Sequence, residues 1–202
     1  MFGVAATYKR LCSTVAVIFC AAALLIVFSF QAAADEANKK TVITSNVPLE
    51  LPGRVLPAGT YVFKLLDTAA DRNIVQVFDK DEKQLYATVI GIPDYHLTTP
   101  DKPLILFDER PSDSPQAIRA WFYPGDNYGV QFVYPQERAL ALAKRNHQNV
   151  LSMRNEMTQN LTTPSKSAAD PSVRAMKKAE VTAVDPSGQQ TAISTVVASK
   201  PK

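Results

Sequence analysis

The stretch "AWFYPGDNYGVQFVYP", Ala120 to Pro135, sets one Trp, two Phe and three Tyr around a turn-like "PGDN". Large apolar residues alternating on both sides of a Pro-Gly turn predict a β-hairpin. With Pro124 to Asn127 as a four-residue loop, Tyr123 faces Tyr128, Trp121 faces Val130, Arg119 faces Phe132, and Gly129 lies opposite Phe122. Strand side chains alternate between faces, so this register gathers Trp121, Tyr123, Tyr128, Val130, Phe132 and Tyr134 on one face and lets Phe122 cover Gly129 on the other. Such a stripe reads first as the core half of a sheet, with tyrosine hydroxyls reaching polar partners or the rim. The alternative is an exposed platform for a sugar or peptide, in which Trp121, Tyr123 and Tyr128 supply rings and Arg119, Asp126 and Asn127 supply polar contacts. A slip of one residue in the loop reverses which side chains share a face.

The segments upstream carry the same punctuation. "TVITSNVPLEL" (Thr41 to Leu51) is extended, and the turns at Pro52-Gly53 and Pro57-Ala58-Gly59 lead into an alternating strand in which Tyr61, Phe63 and Leu65 oppose Lys64. Asn73 to Asp79 and Gln84 to Ile92 form a second hairpin across the charged turn Lys80 to Lys83. "LILFDER" and "AIRAWFY" add strands between Pro-bounded loops. The expectation is a mainly β domain, an antiparallel β-sandwich or barrel-like fold over 35–157. One C-terminal helix is expected from Pro135 through "ERALALAKRN", because Glu137 suits its positive end and Lys144 and Arg145 its negative end. "NVLSM" follows as a last short strand.

No Phe, Tyr or Trp occurs after Tyr134. Residues 158–202 are rich in Ala, Ser, Thr, Lys, Gln and Pro, with Pro164, Pro171, Pro186 and Pro201 interrupting every periodic run. The composition predicts a disordered tail, since so few apolar groups offset little of the ordering entropy. A transient helix or strand over Arg174 to Val184, formed on a partner, is the alternative.

At the other end, Lys9 and Arg10 precede an apolar run from Leu11 to Phe30, and "QAAADE" offers a small-residue cleavage site. Residues 1–34 therefore read as a signal peptide cut before Asp35, or as a retained membrane anchor, since about 20 apolar residues reach across a bilayer. Either form predicts an extracytoplasmic protein, periplasmic or secreted, touching a membrane only if the leader is retained. Cys12 and Cys20 both lie in the leader, which leaves the mature chain no disulfide. Loss of Lys9 and Arg10 lowers the net charge from +3 to +1. A near-neutral chain without a basic stripe argues against nucleic acid as a partner.

Catalytic signatures are absent from the sequence. His96 and His147 are the only histidines and stand in no metal-ligand spacing with each other or with an acidic pair. "DKDE" (Asp79 to Glu82) lacks the glycine and distal glutamate of a calcium loop. Asp108, Glu109 and Asp113 are close neighbours, as solvated loop edges usually are. No catalytic residue, metal or cofactor is expected, and a noncatalytic binding or structural role at the cell envelope, with a glycan or protein partner, is the resulting expectation. A secreted hydrolase assembled in space from acids and a histidine is the alternative.

The segments "LPAGTYVFKLLD", "NIVQVFDKDEKQLYATVIGIPDY" and "AWFYPGDNYGVQFVYP", together with the leader, resemble a family of uncharacterised exported bacterial proteins of acidobacterial type. The resemblance spans about Asn38 to Val150. It implies an extracytoplasmic bacterial origin and carries no activity, cofactor or binding residue.

Overall fold

The alternating segments become strands and pair largely with their neighbours in sequence. The computed structural model describes residues 39–69, 72–108 and 114–193; the segment expected to be a leader (1–34), Glu109, Asp113 and residues 194–202 lie outside them. Strands β1 (Lys40–Ser45), β2 (Leu49–Leu51), β3 (Arg54–Leu56), β4 (Gly59–Ala69), β5 (Arg72–Asp79), β6 (Leu85–Tyr95), β7 (Leu104–Phe107), β8 (Gln116–Phe122) and β9 (Tyr128–Phe132) form one sheet. Its order is β1-β4-β5-β6-β9-β8-β2-β3, with β7 also paired to β8. A smaller sheet runs β10 (Tyr134–Pro135), β11 (Val150–Met153), β12 (Val181–Val184) and β13 (Gln190–Ala192). The protein is thus mainly β. Its sheets are antiparallel except at β2–β8 and β10–β11, which pair in parallel.

The large sheet curls around one face. Register carries a single interior face from Thr41 and Phe63 through Val77 and Val89 to Phe132 and Trp121. The curl brings β8 back over β1, although four strands separate them in the sheet order. Trp121 Nε1 donates to Thr41 Oγ1 at 3.1 Å, and the Phe63 ring lies 6.1 Å from the Trp121 ring and 6.4 Å from that of Phe132. The sheet does not close into a barrel, and β1 and β3 remain its ends. Gly91 permits the tight interior, for a Cβ there would sit 2.7 Å from Val130 Cβ.

Helix α1 (Gln136–Asn146) falls where the sequence predicts it. Pro135 precedes it, Glu137 occupies the first turn, Lys144 and Arg145 occupy the last, and His147 ends it in a left-handed conformation. It joins β10 to β11 in a short βαβ crossover. Ala139, Leu142 and Ala143 form its buried face.

The disorder expected over 158–202 is corrected for residues 158–193, the part of it that the structure describes. Two further helices, α2 (Thr158–Thr162) and α3 (Pro171–Lys178), and the strands β12 and β13 fold this segment as far as Ile193. The reason lies in the outer face of β5 and β6: Val75, Val77, Ala87 and Val89 fill the interior face, and Ile74 and Ile90 on the opposite face are buried as well. A strand apolar on both faces needs a second cover, and α2 and α3 pack on β5 and β6. Leu161, Val173 and Met176 are fully buried there. Ser165 latches the segment: Gln76 Nε2 donates to its carbonyl at 2.8 Å, and its hydroxyl lies 2.9 Å from Thr88 Oγ1. Pro171 opens α3 behind Asp170 instead of breaking a helix, and Pro186 stands in the β12–β13 turn. The segment Arg174 to Val184 accordingly runs from helix into strand on this chain's own sheet.

Truncation after Met157 removes three fully buried side chains, each contributing roughly 1.5 to 3 kcal/mol. The expected outcome is a fall in melting temperature of about 10 °C or more, read by circular dichroism. A truncated chain that melts with the parent would contradict this role for the segment.

Candidate functional site

Antiparallel pairing of β8 with β9 matches Trp121 to Val130 and Phe122 to Gly129, the register that the four-residue loop predicts. A Cβ on Gly129 would lie 2.4 Å from Phe122 Cδ1 and 2.5 Å from the Trp121 carbonyl oxygen. Only glycine leaves room for that ring.

The hairpin divides into a buried base and an exposed tip. At the base, Trp121, Val130, Phe132 and Tyr134 are buried. The Tyr134 hydroxyl lies 2.8 Å from the Ile118 carbonyl oxygen and 3.1 Å from that of Glu50, so it bridges β8 and β2. At the tip, Tyr123 and Tyr128 are half-buried, and Gly125 takes φ +78°, as the turn requires. Asp126 Oδ1 accepts the Tyr128 amide at 2.9 Å, and Gly125 N donates to the Pro100 carbonyl at 2.8 Å.

The segment after β6 is strapped to this tip. His96 N donates to the Asn127 carbonyl at 2.8 Å, its Nδ1 lies 2.7 Å from the Thr98 carbonyl oxygen, and its ring meets Phe122 edge-on at 5.5 Å. Pairing of β6 with β9 sets Tyr95 opposite Tyr128, ring centroids 5.2 Å apart and nearly perpendicular. Tyr95 remains 71% exposed, and Leu97 is fully exposed. Large apolar side chains thus stand in solvent on an ordered, hydrogen-bonded tip.

The five residues singled out from sequence consequently separate. Trp121 belongs to the core and is not available as a ligand ring in this structure. Tyr123 and Tyr128 stand at the tip, where Asp126 caps the turn. Arg119 Nη1 donates to Gln148 Oε1 at 3.1 Å, in the loop after α1. Tyr95 and Leu97 were not among the candidates, although their apolar character inside the polar loop "PDYHLTTP" was the available signal.

A concavity of about 550 Å³ lies away from the tip, between the β2–β3 hairpin and α1. Glu50, buried beside it, accepts hydrogen bonds from Arg138 Nε and Nη2, the latter at 2.6 Å. Those bonds hold the Arg138 pKa above its ordinary value, against the opposing effect of burial. Neither histidine lines this cleft. Two of the three "DKDE" acids are engaged elsewhere: Asp79 Oδ1 accepts the Lys83 and Gln84 amides, while Glu82 pairs with Lys40 and Lys64, whose hydrogen bonds hold its carboxyl below the usual range. Asp108 is buried.

Replacement of Trp121 by Ala empties the interior between Phe63 and Val130, and the expected cost is about 3 to 5 kcal/mol. Urea denaturation measures it. Retention of the parent's stability would move Trp121 out of the core and back among the ligand rings.

No family model, no curated protein and no solved structure matches the chain.

Proposed function

We propose that this protein is an exported, noncatalytic binding module of a bacterial cell envelope that holds its ligand at the β8–β9 hairpin tip. The carrying observation is the exposure of Tyr95 and Leu97 on a tip fixed by hydrogen bonds from His96 and Gly125. Exposed rings on a rigid support contribute little to folding, and a clustered apolar patch marks a contact surface. Tyrosines combine an apolar ring with a hydroxyl, which suits the alternating C–H and O–H surfaces of an envelope glycan. Tyr95 and Tyr128 supply the outer rings, Tyr123 extends the patch, and Asp126 and Asn127 border it.

The export assignment rests on the leader, with Lys9 and Arg10 ahead of the apolar run and Ala32-Ala33-Ala34 at its end. Binding is favoured over hydrolysis by the uses to which the two histidines are put. His96 staples a loop, and His147 closes a helix. Neither faces a pair of acids in the cleft beside Glu50 and Glu137.

Co-sedimentation with purified peptidoglycan sacculi, followed by a glycan array, tests the proposal. The parent is expected to bind, and Tyr95→Ala combined with Leu97→Ser to lose about tenfold or more in affinity. The same variant should stay within about 1 kcal/mol of parental stability. Absence of glycan binding by the parent, or binding unchanged in the variant, would overturn this assignment of the tip.

A further inference from the structure

The cleft between the β2–β3 hairpin and α1 has a property that the hairpin tip lacks: it borders β3, the last strand of the large sheet. β2 and β3 are joined by a two-residue turn, Pro52-Gly53, in which Gly53 has φ +80°. Leu51 pairs with Arg54, Glu50 with Val55, and Leu49 with Leu56. In an antiparallel ladder the pair that closes such a turn exchanges both backbone bonds, and the next pair turns its amides and carbonyls outward. Glu50 obeys this rule, for its carbonyl oxygen points away from β3 to the Tyr134 hydroxyl. The Val55 amide and carbonyl therefore point away from β2, where the sheet ends and no further strand pairs among the described residues.

The opposite wall is the face of α1 that carries Glu137, Arg138 and Ala141. Arg138 spends Nε and Nη2 on Glu50, which fixes its guanidinium and leaves Nη1 on the other side. Arg54 is anchored in the same manner, through Nη1 on the Tyr86 carbonyl at 3.0 Å. Val55, 53% exposed, and Ala141 supply apolar surface on the two walls. A cleft combining an outward-facing backbone donor and acceptor, two held guanidinium groups and apolar sides matches a peptide chain in its extended form.

We infer that this cleft is a second binding site, which takes a short extended peptide as an added strand on β3. The peptide backbone pairs with the Val55 amide and carbonyl. Its carbonyl or terminal carboxylate oxygens meet Arg138, and alternate side chains rest on Val55 and Ala141. Pro52 and Pro57 flank β3 without backbone donors, so the pairing covers only a few residues.

The test pans a random heptapeptide phage library on the purified protein and, in parallel, on Ala141→Trp, which fills the cleft from an exposed helix position. Enriched peptides are then synthesised and their binding measured by fluorescence anisotropy against the parent, Ala141→Trp and Val55→Pro. Val55→Pro removes the outward amide and leaves the β2 pairing bonds intact. Sequences enriched on the parent alone, bound about tenfold more weakly by each variant, with slowed hydrogen exchange at the Val55 amide on binding, are the expected result. The Ala141→Trp comparison and the exchange measurement decide the matter if the proline variant fails to fold. Failure of the parent to enrich any peptide over Ala141→Trp, or equal affinity for parent and Ala141→Trp, would overturn the inference. Tyr95→Ala should leave peptide binding unchanged, which separates this site from the tip.

Discussion

Trp121 holds the curled sheet together where β8 folds back over β1. Its ring occupies the interior beside Phe63, and its Nε1 donates to Thr41 Oγ1, so one side chain on β8 makes an apolar contact with β4 and a polar one with β1. The hydrogen bond is necessary because a buried indole N–H without an acceptor costs about 1 to 3 kcal/mol. The sequence has two cysteines, Cys12 and Cys20, both ahead of β1, and the sheet has no disulfide to impose the curl by other means. The conformations of its neighbours follow from this closure. Gly91 admits Val130 to the interior, and Gly129 admits Phe122 to the opposite face. Phe122 in turn backs the His96 ring, and through it the strap that presents Tyr95 and Leu97.

The outer face of the same sheet sets a different constraint. Curling around Trp121 leaves β5 and β6 apolar on the convex side as well, and the segment after Met157 covers that side with Leu161, Val173 and Met176. Gln76 and Thr88 are the polar exceptions on that surface, and both reach Ser165. A buried amide and a buried hydroxyl are tolerated only with partners, so this latch fixes where the covering segment lies. The smaller sheet then extends from it, with β12 paired to β11.

Much of this was legible locally. The loop length of "PGDN" and the lone Gly129 in a strand set the register of β8 and β9, and the Pro135 to Asn146 pattern placed α1. Long-range pairings were not legible: β2 meets β8 in parallel across more than sixty residues of chain, and nothing at Leu49 or Glu50 encodes that neighbour. The folded segment after Met157 escaped for a related reason. Its apolar residues are too sparse to specify a core alone and acquire meaning only against the second apolar face of Ile74 and Ile90. At the tip, Tyr123 and Tyr128 were visible from the hairpin, whereas Tyr95 joined them through the β6–β9 register.

Both proposed contact surfaces lie on elements whose positions trace back to the closure of the sheet. A double-mutant cycle on its central contact, with Thr41→Val and Trp121→Phe measured singly and together by urea denaturation, isolates the Trp121–Thr41 bond from the packing around it. Thr41→Val should cost about 1 to 2 kcal/mol when Trp121 is present and markedly less in the Trp121→Phe background, because the stranded indole N–H is then gone. Additive losses, with Thr41→Val equally costly in both backgrounds, would contradict the clamp.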